Sequence, residues 1–171
     1  MAATIVDLCE AVKGVVQTAI TANYFGAGLT FDLKRVPVIK VQNLDENDSK
    51  IHVHIGRLGE KGNKSGSHGH VERQLCVGIS VSRKLTKTTL TEAQILAADD
   101  AFQAILEKFE DLLQDEDHSA PGSLGPTFDY VNYWDAEFNQ RGLQGGLKEL
   151  DDRRQLEALL YVFYDSYRSV A

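Results

Sequence analysis

GRLGEKGNKSGSHGHVERQLCVGISVSRKL, residues 56–85, decides what kind of fold this chain adopts. Its first half crowds glycine, lysine and serine together and comes close to the phosphate-binding loop, G-x-x-x-x-G-K-[ST]. In its second half Leu75, Val77, Ile79 and Val81 point one way and Cys76, Gly78, Ser80 and Ser82 the other. A phosphate loop wraps its anion in backbone N–H groups and runs straight into a helix whose N-terminus faces the phosphate. Here five residues separate Gly56 from Gly62, where the motif has four, and Asn63 splits the Gly-Lys pair. A period of two follows, not the period of a helix. The stretch is therefore read as a hairpin whose tip runs from Leu58 to His70. Tips commonly need about two to five residues. One this long reads as an arm that orders against a neighbouring subunit or lines an opening, with a plain solvated loop as the alternative.

Upstream, IHVHI places Ile51, Val53 and Ile55 on one face of a strand and His52 and His54 on the other. QNLDENDSK is a polar turn. In LTFDLKRVPVIKV the alternation of Phe31 and Leu33 with Asp32 and Lys34 reads as a strand, broken at Pro37 or lying at an edge, since proline has no N–H for a ladder. TIVDLCEAVKGVVQTAITANYF is helical, with Ile5, Leu8, Cys9, Val12, Val15, Val16, Ala19 and Ile20 recurring at spacings of three and four. Thr4 and Asp7 can form its capping box, and Gly26 and Gly28 end it.

Downstream, TLTEAQILAADDAFQAILEKFEDLLQ is the second helix. Thr91 is its N-cap, Gln94 completes a capping box, and Leu90 and Ile95 have staple spacing. Ile95, Ala98, Phe102, Ile105, Phe109 and Leu112 form its buried stripe. Acids at Asp115–Asp117 oppose the helix dipole and help to stop it. A Pro- and Gly-containing loop covers about 114–127. TFDYVNYW reads as a short aromatic strand, and AEFNQRGLQGGLKELDD as irregular or weakly helical. In the closing RQLEALLYVFYDSYRSV, Leu156, Leu159, Leu160, Phe163 and Tyr167 fit a helix, whereas its β-branched and aromatic residues fit a strand buried on both faces. The whole predicts an α+β fold: two helices packed on one face of a small, mainly antiparallel or mixed β-sheet with a long hairpin arm at about 57–73.

The 171 residues suggest a single domain, residues 1–171, able to bury a core. The start of the chain lacks a basic n-region, and no apolar run is long enough to span a bilayer, so neither a signal peptide nor a membrane segment is expected. Two cysteines, Cys9 and Cys76, make no disulfide framework; both read as packing residues in a reducing compartment. A net charge of −7 argues against a general nucleic-acid binder but suits a conduit to which DNA must not stick.

Four imidazoles, His52, His54, His68 and His70, form a weak candidate zinc set, because no cysteine or carboxylate with ligand spacing joins them. No nucleophile elbow or catalytic cysteine setting is present. Phe128, Tyr130, Tyr133 and Trp134 form either an interface patch or a satellite core. No cofactor is expected.

The order of these parts resembles the tail terminator and neck proteins of tailed bacteriophages. The correspondence runs through an opening helix, IVDLCEAV, and the arm GRLGEKGNKSGSHGHVERQ. It continues through the strand LCVGISVSRKL, the helix EAQILAADDAFQAILEKFEDLL, and LKELDDRRQLEALLYVFYDSYRSV after a charged segment. The loop at 114–127 and the segment NQRGLQGGLKELDD depart from the pattern. The resemblance implies a non-enzymatic virion protein of the tail or neck, assembled in the host cytoplasm. Its partners would be itself in a ring, usually hexameric, the tail tube protein, and a neck or head-completion protein. DNA would pass through the lumen without specific binding. The resemblance also implies a strand for the closing segment. The expected assembly residues are Arg57, Lys61, Lys64, His68, His70, Glu72 and Arg73. A head-closure or tail-completion role is the first alternative, and a small metal-binding enzyme using the four histidines the second.

Overall fold

A computed structural model describes residues 5–39, 44–45, 47–63, 70–85, 89–114, 131–141 and 154–169. The elements are α1 (Ile5–Thr21), β1 (Phe31–Val38), β2 (Ile51–Asn63), β3 (His70–Lys84), α2 (Glu92–Gln114), β4 (Val131–Arg141) and β5 (Gln155–Ser169). The strands form one sheet in the order β1-β2-β3-β5-β4. β1 runs parallel to β2, and every other pair is antiparallel. This is the mixed α+β arrangement that the periodicities predict.

The period of two sorts the central strands into two faces. Ile51, Val53 and Ile55 of β2, Leu75, Val77, Ile79 and Val81 of β3, and Ala158, Leu160, Val162 and Tyr164 of β5 are all buried on one side. Against them pack Leu8, Cys9, Val12 and Val16 of α1 and Phe102, Ile105, Leu106, Phe109 and Leu113 of α2. Each fully buried aliphatic or aromatic side chain contributes about 1.5–3 kcal/mol, so this layer dominates stability. Phe25 joins the pieces, stacking on Phe109 at 4.3 Å and touching Phe31 at the start of β1 at 5.3 Å.

Both helix ends follow from local chemistry. At the start of α2, Thr91 N–H donates to Gln94 Oε1 at 3.0 Å and Gln94 N–H to Thr91 Oγ1 at 3.3 Å, the predicted capping box. α1 stops at Thr21, earlier than the glycines suggest. Tyr24 N–H bonds Ala19 O and Asn23 N–H bonds Ile20 O, with Asn23 left-handed at φ 55°, which is a Schellman cap built on asparagine. Gly26 and Gly28 then serve the turn into β1.

The opposite face of the sheet is also covered, without a helix. Parallel neighbours need a crossover, usually helical. Residues 39–50 supply it between Val38 and Ile51. Ile39 and Leu58 sit over Gly56 and Gly78, which pair with each other in register. A Cβ on Gly78 would lie 2.7 Å from Leu58 and 2.8 Å from Ile39. Further along, Leu44 N–H donates to the buried Gln155 Oε1 at 2.9 Å.

Three expectations change. AEFNQR is not irregular but continues β4, because β5 pairs with it from Val131↔Ser166 to Arg141↔Ala158, with register shifts between Tyr133 and Asp135 and between Phe138 and Gln140. The hairpin tip is shorter than Leu58–His70: pairing runs on to Asn63↔Glu72 and leaves only residues 64–69 between the strands. His52 and His54, placed by the alternation on the face away from Ile51, Val53 and Ile55, are buried, and Asp48 of the connection before β2 bonds His52. The closing segment is strand throughout, as the resemblance implies. Thr4, the acids at 115–117, the loop at 114–127 beyond Gln114, and the side chains of the aromatic set 128–134 lie outside the described residues.

Candidate assembly surface

The arm grows out of the sheet. β3 and β5 stay paired beyond Leu75↔Tyr164 as far as His70↔Ser169. β2 accompanies them from Gly59↔Cys76 to Asn63↔Glu72, and β4 joins at Val131↔Ser166. At ~3.3 Å per residue, the five residues from Leu75 back to His70 extend the ribbon by ~17 Å. The arm is thus a continuation of the sheet and not a lone hairpin. β1 reaches only to Val38↔Arg57, so among the described residues no strand flanks the outer edge of β2 from Gly59 to Asn63.

The residues expected at this surface fall into register along it. Lys61 pairs with Gln74, Arg73 with Gly62 and Ser166, Glu72 with Asn63 and Tyr167, and His70 with Ser169. Lys64 and His68 lie outside the described residues. Arg57 is exposed at the base of the arm.

Arg57 also borders a cleft of about 320 Å³, lined by Val6 and Glu10 of α1, Arg35, Val36 and Pro37 of β1, and Arg57 of β2. Pro37 explains its position. The β1–β2 register slips between Arg35 and Val38, where the missing N–H interrupts the ladder and the strand bulges away from its neighbour. Arg35 stretches along the floor, donating to Val36 O and, at 3.5 Å, to Ile55 O. Its buried Nε makes no hydrogen bond among the described residues, and Glu10 Oε1 stands 3.4 Å away. Periodicity gives no sign of this cleft; an arginine two residues before a strand proline is the only trace in the sequence.

Among the described residues the His52 and His54 rings lie 6.3 Å apart, and His70 stands far from them along the sheet. His54 pairs with Ser80, and His70 lies ten residues further along β3, ~33 Å away at strand rise. His52 is occupied on both ring nitrogens: Nε2 meets Asp48 Oδ2 at 2.7 Å and Nδ1 meets Asp32 Oδ2 at 3.1 Å. The two contacts make His52 a clasp between β1, β2 and Asp48 of the connection that precedes β2. Asp32 is held below the usual carboxylate range by its bond from Lys34, and Asp48 by the Lys50 backbone N–H. Burial pushes the His54 imidazole down, with the charge of His52 adding to it. No three of the described His, Cys, Asp and Glu residues are grouped as metal ligands. Cys9 lies fully inside the core, and burial pushes its thiol up, away from the reactive thiolate.

No family model and no curated protein matches this chain. Among solved structures it is similar to the PVC sheath/tube terminator of an extracellular contractile injection system, in the extended state. The TM-score is 0.38 and the identity 12%, and the alignment covers 95% of this chain and 57% of that one. The chain spans little more than half the length of that protein. No helix among the described residues is long and apolar enough to cross a membrane.

Proposed function

We propose that this chain is a non-enzymatic tail terminator: a structural protein that forms a ring, hexameric by the resemblance, caps the tail tube and joins it to the neck. In this reading it assembles in the host cytoplasm and remains in the virion, and DNA slides through its lumen unbound. The observation that carries it is the arm. A ribbon of three to four strands continues the sheet of an α+β body whose parts follow the order that the resemblance implies. A ribbon tied to a core by continuous ladders transmits position, which suits a part that must reach a neighbour or the end of a tube. Arg57, Lys61, Lys64, His68, His70, Glu72 and Arg73 are its contact residues.

The test is a shortened arm. Joining Lys61 to Gln74 through an Asn-Gly turn keeps a paired step in register at the new end. The variant is expected to melt cooperatively and to lose ring formation or tube capping, read by light scattering and by electron microscopy of tubes grown with it. A folded, shortened protein that still stops tube growth at a defined length would rule the arm out.

A further inference from the structure

Two surfaces on opposite sides of the helical layer complement each other. α1 rests on β1, β2 and β3, whereas α2 rests on β5 and β4. The cleft beside α1 therefore opens toward the β1 side of the molecule and α2 lies toward the β4 side. The cleft has an apolar wall of Val6, Val36 and Pro37. Arg35 and Arg57 border it, with Glu10 as the single acid beside them. Arg57 makes no ion pair among the described residues.

α2 presents the converse. Leu96 is 61% exposed, more than any other large hydrophobic side chain described. Residues three and four positions away share its helix face, so Glu92, Ala93, Asp99 and Asp100 surround it. Along its whole length α2 carries six acids, Glu92, Asp99, Asp100, Glu107, Glu110 and Asp111, against one base, Lys108. Lys108 is turned away, donating to Tyr24 O and Phe25 O. The helix offers an apolar knob in an acidic collar, and the cleft an apolar socket with two guanidinium groups.

We propose that the Leu96 knob of one copy seats in the α1–β1 cleft of the next, with Asp99 and Asp100 reaching Arg57 and Arg35. The inference rests on the ring reading and supplies the contact such a ring needs. Knob and socket are different patches, so the contact is heterologous: each bound copy still offers one of each, and the chain of copies ends only by closing. It also accounts for an exposed leucine on an otherwise charged helix and for an exposed Arg57 with no ion pair among the described residues.

The test measures mass by light scattering across protein concentration, alone and with tail tubes. Leu96→Glu and Arg57→Glu each alter an exposed position and are expected to leave the melting curve unchanged while weakening self-association by about tenfold or more. Combining Arg57→Glu with Asp100→Arg in one chain restores a favourable pair and is expected to recover association. If Leu96→Glu disturbs folding, Arg57→Glu and the swap carry the same test. A wild-type ring that both single variants still form overturns this contact and leaves the ring reading standing. A wild-type protein that stays monomeric at every concentration, with and without tubes, overturns both.

Discussion

The two faces of the sheet are buried by different means. On the helix side, burial is achieved with bulk: Val53, Ile79, Leu160 and their neighbours meet Leu8, Phe102 and Phe109 over a broad apolar contact. On the crossover side it is achieved with small and polar residues. Gly56 and Gly78 leave room for Ile39 and Leu58, His52 is clasped by Asp32 and Asp48, and Gln155 receives Leu44. The first face is stabilised by area removed from water, which is non-directional. The second depends on particular atoms meeting at particular distances. The helix face should therefore suffer most from lost volume, and the crossover face from added volume or altered charge.

The largest effect is expected at Phe109. It is fully buried and stacks on Phe25, which links the end of α1 to β1. Phe109→Ala should cost about 3–5 kcal/mol, in the range for large-to-small core substitutions. Urea unfolding checks this through a lower midpoint. A loss under about 1 kcal/mol would mean that α2 packs less tightly than its burial indicates.

Gly78 carries the converse expectation. Gly78→Ala places a methyl group where Leu58 and Ile39 already stand and should cost about 1–3 kcal/mol, as overpacking does. Leu58→Ala in the same chain should return part of that loss, since Leu58 is one of the two obstacles and is itself partly exposed. A double-mutant cycle in urea reads the coupling, and strictly additive losses would show that Leu58 is not what the added methyl group strikes.

The same contrast explains what the sequence allowed to be read. The helix face was legible because bulk repeats: a period of two in LCVGISV and of three to four in α1 and α2 names its residues directly. Leu106 and Leu113 join the predicted stripe of α2 because a broad sheet accepts a wide helix face. The crossover face was not legible. A glycine in a strand, a histidine between apolar residues and a glutamine at a strand start have no period, and their partners are distant in sequence. Gln155, for example, meets Leu44 across more than a hundred residues. The cleft beside α1 was not legible for the same reason, since it arises where the β1–β2 register slips at Pro37, facing the first turns of α1. The extension of β4 through AEFNQR depends on a partner strand, which local propensity cannot supply.

The smallest expected effect separates the faces by pH. His54 lies buried on the crossover side, and burial first, then His52 and Lys34, hold its imidazole below the ordinary histidine value, with Asp32 opposing. In the unfolded chain that value is about 6.5. Below it, the unfolded state takes up a proton that the folded state refuses, so stability is complete above about pH 6.5 and declines as the solution becomes more acidic. Asp32 and Asp48 are shifted in the same direction for the opposite reason: their charged forms are favoured in the folded state. Their contribution is complete above about pH 3.9 and is lost as pH falls through their lower folded values. Acid should therefore weaken the protein in two stages. His54→Gln should flatten the upper stage and leave the lower one, whereas Phe109→Ala should shift the whole stability curve down without changing its shape. Urea midpoints of the three proteins between pH 7.5 and about pH 3 measure this, each variant taken as a difference from the wild type so that the remaining histidines cancel. If His54→Gln keeps the wild-type decline below pH 6.5, that decline arises elsewhere and the crossover face is no more sensitive to acid than the face the helices cover.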